Sequence, residues 1–224
     1  MREIRAPIKS SLPIVTMTGM SAQGNPASLH EHDATWARRA AQYLDDICRA
    51  LTGLPGAQDA AFDHIGSTAV PGLAAKPLVD LQVRMLPLPS HAELGSRLEP
   101  LGFERALGAR PDSPGVSRDI PRGDEPASDE VWEKRLYVQR QQAVILHVRR
   151  SDSPWGRYTV WFRDWLREHP VERSRYEQTK RELAQQNVGK PDFDDYTRAK
   201  TVFFDEVQQS FTAWARRPGA ERKL

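Results

Sequence analysis

One cysteine in 224 residues, Cys48, leaves no partner for a disulfide within the chain and no cysteine set for a structural zinc. No window approaches the ~20 consecutive apolar residues of a membrane span. The N-terminus lacks an apolar core of signal-peptide length, so the chain is read as cytoplasmic, with no membrane partner. An excess of charge of one sign is also missing: 32 Lys and Arg stand against 30 Asp and Glu, a net +2. Composition therefore gives no reason to expect a nucleic-acid partner. There are no long internal repeats and no low-complexity tract.

What is present is the make-up of a globular domain, with 39% hydrophobic and 28% charged residues on a chain long enough for one sizeable core. Residues 1–27 carry Pro7, Pro13, Gly19, Gly24 and Pro26 without a sustained period, and read as a poorly ordered extension with Met17 or Met20 as an alternative start. Residues 28–216 read as the domain and 217–224 as a tail. Trp36, Ala40, Tyr43, Leu44, Ile47 and Leu51 recur at helical spacing over Thr35–Leu51, and Cys48 is expected to be buried beside them. Strands are expected over 60–66 and 77–86, and a helix over His91–Leu101 ended by Gly102. Residues 108–129, rich in Pro, Gly, Asp and Ser, read as a mobile surface loop.

Two further strands, 134–139 and 142–149, form an expected hairpin. Ser153-Pro154 then has the form of an N-cap and first-turn proline. Tyr158, Trp161, Phe162, Trp165 and Leu166 make one apolar stripe. A second helix is expected from Pro170 to about Gln186, and a third from Asp192 to about Trp214. Strands and helices are mixed without βαβ alternation, so the fold class is α+β.

Chemistry concentrates in "HIGSTAVPGLAAKPLVDLQV", residues 64–83. On the second strand Val79, Leu81 and Val83 share the core face, which leaves Leu78, Asp80 and Gln82 on the other. An aspartate there must be solvated, paired or bound. The turn Gly66-Ser67-Thr68 lets backbone N–H groups approach an anion, and Lys76 on the connecting loop is a second anion contact. The spacing is not that of a P-loop. A plain turn and a solvated edge carboxylate are the alternative. "YEQTKREL" and "YTRAKTVF" each place Tyr, Lys and an apolar residue on one helical face, so Lys180 aligns with Tyr176 and Leu183, and Lys200 with Tyr196, Phe203, Val207 and Trp214. These lysines either snorkel or, with Arg163, point at an anion. His147 shares a strand face with Ile145 and Arg149.

The stretch 64–83, with "LHV" at 146–148, "FRDWLREHP" at 162–170, Tyr176…Lys180 and Tyr196…Lys200, resembles the GrpB family over nearly everything from Leu29 to Trp214. The resemblance implies a nucleotidyltransferase-like fold of the polymerase-β type, with a mixed sheet, flanking helices and a helical C-terminal third. It implies that Gly66 and Ser67 contact nucleotide phosphates and that Asp80 is the first of a metal-holding carboxylate pair. Gln82 stands at the second position, and His147 where a third acidic ligand is expected.

The expected function is a Mg2+-assisted transfer of a nucleotidyl or phosphoryl group from a nucleoside triphosphate to a small molecule. Asp80 and Gln82 would hold metal. Gly66, Ser67, Thr68, Lys76, Arg163, Lys180, Tyr196 and Lys200 would hold phosphates. His147 would position or deprotonate the acceptor. GrpB-like domains also occur fused behind dephospho-coenzyme A kinase, so the alternative is a non-catalytic nucleotide- or coenzyme A-related binding or accessory module. The expected partner is a small phosphate ligand, and a homo-oligomer is compatible with the sequence.

Overall fold

The computed structural model describes residues 27–107, 115–121 and 128–217. The expected extension and tail lie almost wholly outside the described residues. Helix α1 (Thr35–Leu51) buries Trp36, Ala40, Ile47 and Leu51 on one face. Cys48, expected in that face, is instead exposed. It sits about 100° round the helix from Ile47, enough to turn it off the stripe.

Strands β1 (Ala61–Ile65) and β2 (Val79–Met85) follow, then α2 (His91–Leu98). A capping box of Ser90 and Glu93 starts α2. Its expected last turn tightens to a 3-10 turn over Glu99–Leu101 that ends at Gly102. Strands β3 (Glu104–Arg105), β4 (Lys134–Gln139) and β5 (Val144–Arg150) complete a five-stranded sheet ordered β1-β2-β5-β4-β3. The β2–β5 pair is parallel and the other neighbours are antiparallel, a mixed sheet. The fold class is α+β, as expected.

Register turns strand alternation into two unlike faces. Val79, Leu81 and Val83 share a core with Val144, Leu146, Val148, Tyr137 and the inner faces of α1 and α2. On the reverse face Asp80 lies beside Ile145, and Gln82 beside His147, which faces Leu136 across β4. Arg84 lies beside Arg149, which faces Lys134. A second core covers this face. It is built from α3 (Pro154–Glu168), α4 (Pro170–Gln186) and α5 (Asp194–Ala215). Ser153 caps α3 by accepting from the Gly156 N–H, as expected from Ser-Pro. Phe162 packs at the centre against Trp165, Tyr176, Phe203, Phe204 and Phe211, tying the three helices together.

The expected mobile loop 108–129 holds a structural surprise in its described part. Asp119 is buried. Its carboxylate accepts two hydrogen bonds from Arg149, at 2.7 and 3.0 Å, and pairs with Lys134 at 3.0 Å. The segment is tied further by the Arg118–Glu133 bridge. A polar loop residue becomes interior because two cations of β4 and β5 would otherwise be buried without a counter-charge.

Asp119→Ala is therefore expected to cost about 3–5 kcal/mol of stability in urea unfolding, since it strands both cations. Burial alone would raise the Asp119 carboxyl, but Arg149 and Lys134 outweigh it and bring it down to about 2 from an ordinary 3.8. The pair's contribution is complete above that ordinary value and is lost as pH falls through about 2. Unfolding free energy followed from pH 5 to 2 should drop less steeply in Asp119→Asn than in the parent protein.

Candidate functional site

Between the charged sheet face and the aromatic helices lies a cavity of about 290 Å3. Its first wall is the turn after β1. Gly66 has φ +73°, and a Cβ there would stand 2.5 Å from Asp80 Oδ2, so only glycine lets the turn close onto the aspartate. Ser67 lines the cavity half-buried. Thr68 is buried, and its hydroxyl is engaged by His64 Nε2 at 3.0 Å. It therefore supports the turn, and its side chain is not offered freely to a phosphate.

The cationic wall comes from the loop and the helices. Lys76 Nζ stands 3.5 Å from the Phe193 ring centre and 5.1 Å from that of Tyr196. Lys180 is 1% exposed and donates to the Ala74 carbonyl, which fastens α4 to the 66–78 loop. Lys200 Nζ lies 5.9 Å from the Tyr196 ring centre. Burial pushes the Lys76 and Lys180 ammonium groups down to about 7, with nearby Lys200 adding to the effect. Lys200 is instead held above the ordinary lysine value by Tyr176 first, against the effect of burial, with help from Tyr196 and Asp80.

Arg163 faces the cavity but is committed. It makes two 2.9 Å bonds to the neighbouring Asp164 carboxylate, donates to the His64 carbonyl at 2.8 Å, and lies 3.6 Å from Asp63. The expected free phosphate contact is thus a strut between α3 and β1.

His147 and Gln82 also depart from expectation. Lys134 Nζ and Arg149 Nη2 each stand 3.3 Å from His147 Nδ1. Two cationic donors at one ring nitrogen favour an acceptor there, and with it the neutral tautomer protonated on Nε2. Burial, Lys134 and Arg149 agree, pushing the imidazole down to about 4. With Nδ1 facing two cations, His147 presents Nε2–H to the cavity, which suits the expected role of positioning an acceptor better than that of deprotonating it. Nε2 is 3.7 Å from Asp80 Oδ1. Burial tends to raise the Asp80 carboxyl, but His147, Lys200 and Lys76 reverse this and hold it below the ordinary value.

Gln82 is wholly buried behind the cavity wall. Its carbonyl oxygen accepts from Arg149 at 2.8 Å and Thr159 at 3.0 Å, and its amide donates to the Gly156 carbonyl at 3.0 Å. With its oxygen taken by a guanidinium, Gln82 is not a metal ligand, contrary to expectation. Among the described residues no group of three or more His, Cys, Asp or Glu side chains could hold a metal ion. Asp119, the carboxylate closest in role to a missing ligand, is neutralised by Arg149 and Lys134. With the Gln82 oxygen engaged, the described donor set leaves Asp80 alone of the expected pair to meet a metal ion.

The residues singled out from the sequence nonetheless converge. Gly66, Ser67, Thr68, Lys76, Asp80, His147, Arg163, Lys180, Tyr196 and Lys200 all border this one cavity, and Gln82 alone does not. The sequence reading missed Asp119, Lys134 and Arg149 as one charge network. It also missed the aromatic wall of Trp155, Phe162, Phe193 and Phe204. Strand alternation placed Arg149 on the His147 face. Nothing local in the sequence pairs it with an aspartate 30 positions earlier.

A chain with this arrangement has recognisable relatives. A family model described as GrpB protein matches residues 26–210. A UPF0157 protein of Streptomyces coelicolor is 32% identical over 189 residues, covering 83% of this chain and 86% of its own. A protein of Mycolicibacterium paratuberculosis named dephospho-CoA kinase is 28% identical over 85% of this chain. This chain spans only 47% of that relative, and 62% of a UPF0157 protein of Pseudomonas aeruginosa to which it is 33% identical. The crystal structure of a conserved GrpB protein from Enterococcus faecalis superposes with a TM-score of 0.55 at 21% identity, covering 81% of this chain and 99% of that one. That likeness speaks to the fold, which agrees with the family match over most of the sequence: the chain belongs to the GrpB family.

Proposed function

We propose that this chain binds a compact phosphate ester with a flat, nucleotide-like base in the cavity between the charged sheet face and α3–α5. The observation that carries the reading is that Lys76 and Lys200 stand near Asp80 in a cavity walled by Phe162, Phe193 and Phe204. Of the lining cations, Arg163, Lys134, Arg149 and Lys180 are held by carboxylates or a backbone carbonyl, which leaves a surplus of two, Lys76 and Lys200, near Asp80. Such a surplus in a partly desolvated space favours an anion and disfavours a lone divalent cation. The aromatic wall offers stacking to a base. At about 290 Å3 the space sits at the lower end of small-molecule pockets, which span roughly 300–1,000 Å3, so a mononucleotide suits it better than an extended cofactor.

The binding-module reading is favoured over Mg2+-dependent transfer by the engaged carbonyl of Gln82 and the donor-only His147. The apposition of Gly66 and Asp80 is what supports transfer as a second reading. The relative named dephospho-CoA kinase is about twice the length of the shared region, which supports a module that accompanies an enzyme.

The test is thermal stabilisation by ATP, ADP, AMP, dephospho-coenzyme A and coenzyme A, each with Mg2+ and with EDTA. Nucleotides are expected to stabilise the protein equally in EDTA, without pyrophosphate release. No stabilisation by any of them would overturn the reading, and ATP turnover dependent on Mg2+ would restore transfer. Lys200→Met, which keeps the apolar stem, should weaken ATP binding about tenfold or more, because a charge-assisted contact is lost.

Affinity should also depend on pH. Burial brings the Lys76 ammonium down to about 7, and a bound polyanion would hold its proton on. ATP affinity is therefore expected to fall as pH rises above 7, with net proton uptake on binding. Calorimetry at pH 8 in buffers of different ionisation enthalpy reads that uptake directly.

A further inference from the structure

We propose that Asp80 and His147 form a hydroxyl-recognition pair, so that the ligand of this cavity is a phosphate ester that also carries a free hydroxyl beside its charged group. The inference rests on the phosphate-ester reading above and assigns the chemistry of the ligand's second contact.

The argument begins with the distance between the two groups. His147 Nε2 and Asp80 Oδ1 are 3.7 Å apart, beyond hydrogen-bond reach. Both border the cavity. The contact between Asp80 and His147 Nε2 is a long one that still lowers the Asp80 carboxyl, whereas Nδ1 of the same ring stands 3.3 Å from Lys134 and Arg149. The site therefore presents one donor and one charged acceptor with a gap between them. An oxygen that accepts from Nε2–H and donates to the carboxylate can sit to one side of the pair, about 2.8 Å from each atom and about 2 Å off the line joining them. A hydroxyl has that dual character. A phosphate oxygen lacks the proton that Asp80 requires, and a metal ion would be repelled by the Nε2–H.

The donor state of His147 is built in. Lys134 and Arg149 approach only Nδ1 because Asp119 fixes both, by the Arg149 fork and the 3.0 Å Lys134 contact. Asp119 is thus a positioning residue that selects the tautomer without touching the ligand. The cations facing the pair from neighbouring elements, Lys76 from the loop and Lys200 from α5, keep Asp80 ionised and able to accept.

The test compares ATP with 2′,3′-dideoxy-ATP on the full chain by calorimetry. The dideoxy form is expected to bind roughly ten- to a hundredfold more weakly, because loss of the hydroxyl leaves a charged acceptor and a donor unpaired. In His147→Asn the side-chain oxygen can occupy the place of Nδ1 and still accept from Lys134 and Arg149, while the Nε2 donor is gone. That variant should fold, bind the dideoxy form as the parent does, and lose most of the preference for ATP. Equal binding of the two nucleotides by the parent protein would overturn the hydroxyl assignment while leaving the phosphate reading intact. Binding of neither, nor of any other nucleotide, would overturn the reading beneath it. A preference undiminished in His147→Asn would take the role from His147.

Discussion

Arg149 and Lys134 stand side by side on adjacent strands, 1% and 2% exposed, and two buried cations without a counter-charge would not be tolerated in a sheet face. Asp119 supplies that charge from outside the sheet. Once it is in place, the free donors of the two cations reach the next layer: Arg149 holds the Gln82 carbonyl, and both cations face His147 Nδ1. Asp119 thus links residues 115–121 to Arg149, and through Arg149 to Gln82, which Gly156 and Thr159 also hold.

The cavity beyond this network is electrostatically uneven by construction. Lys180 and Arg163 are committed to backbone carbonyls and neighbouring carboxylates, and they join α4 and α3 to the loops around β1. Lys76 and Lys200 remain the cations facing the interior near Asp80. Desolvation keeps Lys76 and Lys180 near the point of losing their protons, so the empty cavity carries less charge than its residue list suggests. An anion would restore that charge as it binds. The aromatic cluster centred on Phe162 serves both purposes: it packs three helices together and forms the wall opposite the lysines.

Within this framework the polymerase-β resemblance is one of fold, and two of the positions where it expects metal ligands are engaged otherwise. The glycine turn closes on Asp80 as the resemblance implies. At the second carboxylate position Gln82 has turned away into a hydrogen-bond network, and a histidine with a donor nitrogen stands in the place of the third.

The sequence by itself determined the elements and most of the cavity's residues, because those follow from short-range rules. Helical spacing marked α1, α3, α4 and α5, strand alternation separated Val79, Leu81 and Val83 from Asp80, and a glycine before Ser67 marked the tight turn. What only the tertiary structure decided was which polar groups are free. Arg163 and Arg149 look alike as cations along the chain, yet each is bound to an aspartate, one adjacent and one 30 residues away. Gln82 and His147 have local patterns that allow a ligand role. Their hydrogen-bonding states were set by Arg149, Lys134 and Asp119, brought together by strand register and by the seating of residues 115–121. Side-chain identity is written in the sequence, but the availability of a donor or acceptor depends on every neighbour within about 3 Å, and those neighbours are assembled only by the fold.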